Sequence, residues 1–107
     1  MKYEVAYHPD AKKDRATLDF SVKSQVERAI IKVAENPLPQ NEGGYGTPLG
    51  NRHGVNLTGY CKIKLLKLGI RVVYKVIRTD QVMKIIVIAA RADDEAYEIA
   101  VKRIESE

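Results

Sequence analysis

Residues 60–90 leave the chain almost no room to turn. Three strand-like runs, 60–66, 70–78 and 82–90, are separated only by Lys67-Leu68-Gly69 and Thr79-Asp80-Gln81. Connections that short join antiparallel neighbours, because a parallel crossover needs a dozen residues or more. A three-stranded antiparallel meander is therefore required. Side-chain alternation then assigns its faces. Cys61, Ile63 and Leu65 share one side of the first run, with Lys62 and Lys64 on the other. In the second run Ile70, Val72, Tyr74 and Val76 lie opposite Arg71 and Lys75. If the apolar sets meet helices, Lys62, Lys64, Arg71 and Lys75 converge on the open face.

The flanking segments supply the helices. Tyr3, Val5 and Tyr7 alternate with Lys2, Glu4 and Ala6, which reads as a strand ending before Pro9. Pro9 suits a first helical turn, where its missing N–H costs nothing, and Ala11 and Leu18 line a short helix. Val22, Val26, Ala29, Ile30 and Val33 form the stripe of a second helix, capped by Asp19 or Ser21 and ended by Pro37. Residues 36–59 hold six of the seven glycines and three of the four prolines. A structureless loop rarely exceeds about 12–15 residues, so this segment is expected to be functional or partly ordered. Its glycines miss the spacing of a dinucleotide or P-loop motif. Tyr97, Val101 and Ile104 recur at helical spacing, with Asp93 and Asp94 placed to cap. The order β-α-α-β-β-β-α predicts one α+β domain over 1–107. It would have a small antiparallel sheet, two N-terminal helices packed on one face, and a C-terminal helix.

Charge is unevenly spread. The net charge is +4, but residues 61–91 carry +7 and residues 92–107 carry −4. A cationic middle points to an anionic partner meeting one part of the surface. Arg91 after the third run and Tyr97 in the last helix extend the cluster to cations around one aromatic ring, a set suited to phosphates and a stacked base. The plainer alternatives are a solvated lysine face, a packing role for Tyr97, and ion pairs from Arg71 and Arg91 to the acidic end. Joint placement on one side favours the cluster. The lone Cys61 excludes an internal disulfide and, on the apolar face, reads as a buried structural thiol. No apolar run approaches roughly 18 residues and the N-terminus lacks a signal-peptide core, so a cytosolic protein is expected. A further alternative from the residues is an acid–base pair of His8 and His53. No HExxH motif, paired cysteines or close carboxylate cluster suggests a metal, and no cofactor motif occurs.

The run GYCKIKLLKLGIRVVYKVI, followed by VIAARADDEAYEIAVKRI, resembles the RelE branch of the RelE/ParE toxin family. The shared features are Lys-x-Lys on the second strand, Arg in a G-x-R-hydrophobic-hydrophobic-Tyr strand, Arg after the fourth strand and Tyr six residues later. Here these are Lys62, Lys64, Arg71, Arg91 and Tyr97. The resemblance implies a bacterial or archaeal cytoplasmic toxin that enters the ribosomal A site, against 16S rRNA, and cleaves mRNA there as an endoribonuclease. It implies a cognate antitoxin, a toxin that is monomeric alone, and metal-independent attack of the ribose 2′-OH on the adjacent phosphate. Lys62 and Lys64 would orient the nucleotide and supply the base, and Arg71 would stabilise the phosphorane. Arg91 would assist the leaving 5′ oxygen, and Tyr97 would stack on the base. Lys67, Lys75 and Arg78 are the further RNA-binding candidates. A free lysine, with a pKa near 10.4, is neutral only about once in a few thousand molecules at pH 7, so a lysine base needs cationic neighbours that disfavour its charge. Ala90 and Asp93 stand where family members often carry extra basic residues. The alternatives are a ParE-like gyrase inhibitor acting by binding, and a catalytically weak antitoxin-binding member.

Overall fold

The computed structural model describes residues 2–52, 55–90 and 93–105. In chain order the elements are β1 (Glu4–Tyr7), α1 (Pro9–Ala16), α2 (Phe20–Ala34), a 3-10 turn (Gln40–Glu42), β2 (Thr47–Arg52), β3 (Val55–Leu65), β4 (Ile70–Ile77), β5 (Val82–Ala89) and α3 (Asp93–Glu105). The five strands form one sheet in the order β1-β5-β4-β3-β2. The meander is present as the short connections require: β3 pairs with β4 and β4 with β5, both antiparallel.

Local chemistry sets the helix ends. His8 is the N-cap of α1, its Nδ1 accepting the Asp10 N–H at 3.0 Å, and Pro9 fills the first turn. His8 is thus buried at the helix start, and His53 lies outside the described residues. The α2 stripe buries Val26, Ile30, Val33 and Ala34, and Asp19 sits at its N-cap without a side-chain hydrogen bond.

Three features differ from the sequence reading. The sheet is mixed, because β1 runs parallel to β5 with Glu4 opposite Val82 and Tyr7 opposite Ile85. Residues 8–81 separate these two strands, so the short-connection rule that fixes the meander does not bind them. The glycine-rich segment supplies an extra edge strand, β2, antiparallel to β3, with a register shift between Pro48 and Gly50. Proline and glycine are tolerated there because the strand lies at the sheet edge and the shift interrupts the ladder. Finally, the helices cover both faces, with α3 opposite α1 and α2.

Two cores follow from this layering. On one face Cys61, Ile70, Val72, Tyr74 and Val76 pack with Ala11, Val26, Ile30 and Val33 of α1 and α2. On the other, Leu57, Tyr60, Val73, Ile86 and Val87 pack with Tyr97 and Ala100 of α3. The glycine-rich segment is fastened over the first core: the Tyr74 hydroxyl donates to the Pro37 carbonyl at 2.8 Å, and a Cβ on Gly46 would collide with that hydroxyl. Burial in this core pushes both the Cys61 thiol and the Tyr74 phenol above their ordinary pKa values.

Candidate nucleic-acid interface

The cationic face is built by strand register. Lys64 stands opposite Arg71, Lys62 opposite Val73, and Tyr60 opposite Lys75. On β5 the same rows continue through Ala89, Val87 and Lys84. Lys62, Lys64, Arg71 and Lys75 therefore share one side of the sheet, as alternation requires. This is the side that α3 covers over its middle row, where Val73 and Val87 need an apolar partner.

Lys64 is exposed, and Arg71 is half-buried, with Nη1 3.5 Å from the Gly69 carbonyl oxygen. This pair forms the outer end of the band, beside the β3–β4 turn that carries the exposed Lys67. In the middle, Lys62 donates from Nζ to the Tyr97 hydroxyl at 2.8 Å, with its ammonium 5.5 Å from the ring centroid. The inner end holds Lys75, whose Nζ lies 5.7 Å from the Tyr60 ring centroid, directly across from Lys84.

Tyr97 differs most from expectation. Its side chain is only 2% exposed, packed between α3 and the sheet, so in this conformation no ring face is open for a base. Its hydroxyl meets Lys62 instead. Arg91 lies outside the described residues.

Arg78 does not join the band. It follows Val76 in parity, and its Nη1 and Nη2 donate to the two Glu42 carboxylate oxygens at 2.8 Å each. That bidentate pair holds the Glu42 carboxyl below its ordinary pKa and raises that of Arg78, and it ties the 3-10 turn to the end of β4. With its charge matched by Glu42 on the α1/α2 side, Arg78 is a loop fastener. Sequence reasoning missed Lys84 of β5, which stands opposite Lys75 in the register that runs from the β4–β5 turn. It also missed Asp14 and Arg103, which bond across the same strand; each belongs to a helix whose packing had to be known first.

Fold and site together define a class: a small α+β fold whose sheet presents a cationic band backed by a buried tyrosine. No protein-family model matches the sequence. Two curated relatives are similar over nearly their whole length. The mRNA interferase toxin RelE of Escherichia coli is 31% identical over 104 residues, spanning 97% of this chain and 99% of its own. A RelE-like toxin protein of Escherichia coli is 27% identical over the same shares. Among solved structures, a double arginine-to-alanine variant of E. coli toxin RelE in the free state aligns with a TM-score of 0.75 at 29% identity, covering 97% of this chain and 99% of that one. The same variant in complex with a RelBc antitoxin peptide aligns at 0.68 and 28% identity, covering 96% and 98%. The chain belongs to the RelE toxin family.

Proposed function

We propose that this protein is the toxin of a type II toxin–antitoxin pair, a ribosome-dependent endoribonuclease that cleaves mRNA in the A site and is neutralised by a cognate antitoxin. Acting on translating ribosomes places it in the cytoplasm. The observation that carries the reading is the Lys64–Arg71 pair facing the same way as Lys62, which Tyr97 holds at its hydroxyl. Three cations at adjacent sheet positions match a phosphodiester and its developing charge.

The chemistry gives each cation of the band one role. Lys62 donates to Tyr97 and so serves as a fixed positive charge beside the phosphate. Lys64 is the group placed to accept the proton of the ribose 2′-OH as that oxygen bonds to phosphorus. Arg71, directly across from Lys64, stabilises the additional negative charge of the phosphorane, for which its planar donor fork is suited. The bond from phosphorus to the 5′ oxygen then breaks; that oxygen takes a proton from water, and the Lys64 ammonium returns its own to solvent. The products are a 2′,3′-cyclic phosphate and a 5′-hydroxyl. Arg91 is assigned to the leaving oxygen on the family resemblance alone, as an electrostatic stabiliser, since a guanidinium is a poor proton donor. Lys67 and Lys75 extend the phosphate track at either end.

Toeprinting of a defined mRNA in a reconstituted translation reaction tests the reading. The protein should produce a cut within the A-site codon only when ribosomes are present. Lys64→Ala and Arg71→Ala should each slow it by about 10²–10³-fold. Undiminished cleavage by the double variant would reject the assignment.

A further inference from the structure

β5 continues beyond its parallel partner. The last bond from the β1 side is His8 N–H to the Ile85 carbonyl at 2.8 Å, after which the chain turns into α1. At this point β5 also bulges. Val73 pairs with Val87 and Tyr74 with Ile85, which leaves Ile86 with no partner on β4. Backbone polar groups at such a place need other partners. Two side chains supply them. Asp14 of α1 accepts the Ile88 N–H at its Oδ2, 3.0 Å away, and Arg103 of α3 donates from Nη1 to the Ile86 carbonyl at 2.7 Å. The two side chains also join each other, Nη1 to Oδ2 at 2.7 Å and Nη2 to Oδ1 at 3.2 Å, with Asp10 3.8 Å from Nε.

We infer that Asp14 and Arg103 are positioning residues for the site: they stand in for the absent strand along β5 and thereby fix α3, which carries Tyr97 against Lys62. The inference rests on the proposed role of Lys62 and Tyr97. Two features make the contact more than an ion pair. First, it ties three elements at one point, with both side chains largely buried. Among the described residues of α3, Ala96, Tyr97 and Ala100 are fully buried and Ile99, Val101 and Ile104 pack beside them; these apolar contacts are non-directional, whereas the Arg103 bonds fix one orientation of the helix on the sheet. Arg103 follows Tyr97 by six residues, about 9 Å along the axis, so a tilt at the clamp displaces the Tyr97 hydroxyl from Lys62. Second, the contact has a polarity. An acceptor is required where Ile88 offers N–H and a donor where Ile86 offers C=O, so exchanging the two charges would set like against like at both backbone groups.

The test compares Asp14→Asn, Arg103→Lys and the exchanged double variant Asp14→Arg/Arg103→Asp with the unaltered chain. Ribosome-dependent cleavage is resolved into kcat and KM, and the Lys62 ammonium NMR signal is followed alongside. Each single variant should lower kcat by up to about 10²-fold, the scale set by small displacements of reacting groups, with KM nearly unchanged. The Lys62 signal should shift, and the exchanged pair should restore neither. Unchanged kcat in both single variants, or recovery in the exchanged pair, would overturn the inference. An unchanged Lys62 signal in both would overturn it too, whatever the activity. If the unaltered chain cuts no mRNA but the Lys62 signal still responds to both variants, the function reading fails and the clamp stands.

Discussion

Tyr97→Phe isolates the contact on which the proposed site turns. The ring is kept, so the core beneath α3 loses no apolar volume, and the ring stays near the Lys62 ammonium. Only the hydroxyl that accepts from Lys62 at 2.8 Å is removed. A hydrogen bond to a charged group contributes about 1.5–3 kcal/mol, but Lys62 is half-exposed and water can replace the lost oxygen. A net loss of about 1 kcal/mol is therefore expected, which lowers Tm by about 4–8 °C for a domain of this size. A loss of that order in holding Lys62 in place corresponds to cleavage slower by about fivefold to tenfold. Thermal unfolding and single-turnover cleavage on stalled ribosomes measure the two effects separately. Tyr97→Ala differs in kind, since emptying a buried aromatic site costs about 3–5 kcal/mol and loosens α3 altogether. If Tyr97→Phe lowers Tm but cleaves at the unaltered rate, Tyr97 is packing and the reasoning about Lys62 is refuted.

Three further outcomes follow from named contacts. Gly46→Ala should destabilise by about 1–3 kcal/mol through collision with the Tyr74 hydroxyl, and adding Tyr74→Phe should make the combined loss smaller than the sum; urea titration of the three variants shows this. Stability should hold from neutral pH to the unfolded-state Cys61 value near 9.0 and then decline, more steeply past the Tyr74 value near 10.0. Both groups stay protonated longer in the folded chain than in the unfolded one, so rising pH favours unfolding, and Cys61→Ala with Tyr74→Phe should flatten urea midpoints measured across pH 7–11. Arg78→Ala should leave cleavage within about twofold, because its guanidinium is bound to Glu42 away from the band; a drop like that of Lys64→Ala would return Arg78 to the RNA track.

The division between core and cationic face is legible in the sequence because strand periodicity is two and the turns are too short for any pairing but neighbours. Cys61, Tyr74 and Val76 on one side, and Lys62, Lys64 and Arg71 on the other, follow from that alone. The parallel seat of β1 does not, because its partner lies near the other end of the chain and no turn links them. Nor does β2, since Thr47-Pro48-Leu49-Gly50 is poor strand sequence that only an edge position tolerates. The side on which α3 packs was signalled by Val73. It is an apolar residue among cations, and with Val72 and Tyr74 it makes a run buried on both faces, the pattern of a strand covered twice. The burial of Tyr97 follows from the same fact. The Asp14–Arg103 bond depends on a bulge that shifts β5 by one residue, and no residue pattern announces it.

Cleavage by this cationic face through the ribose 2′-OH requires that hydroxyl at the scissile nucleotide. The most direct measurement places an mRNA with a single 2′-deoxy substitution at the scissile nucleotide of the A-site codon on ribosomes, beside the unmodified mRNA. The unmodified message should be cut to a 2′,3′-cyclic phosphate while the deoxy message survives. Equal cleavage of both, or of neither, would contradict this mechanism.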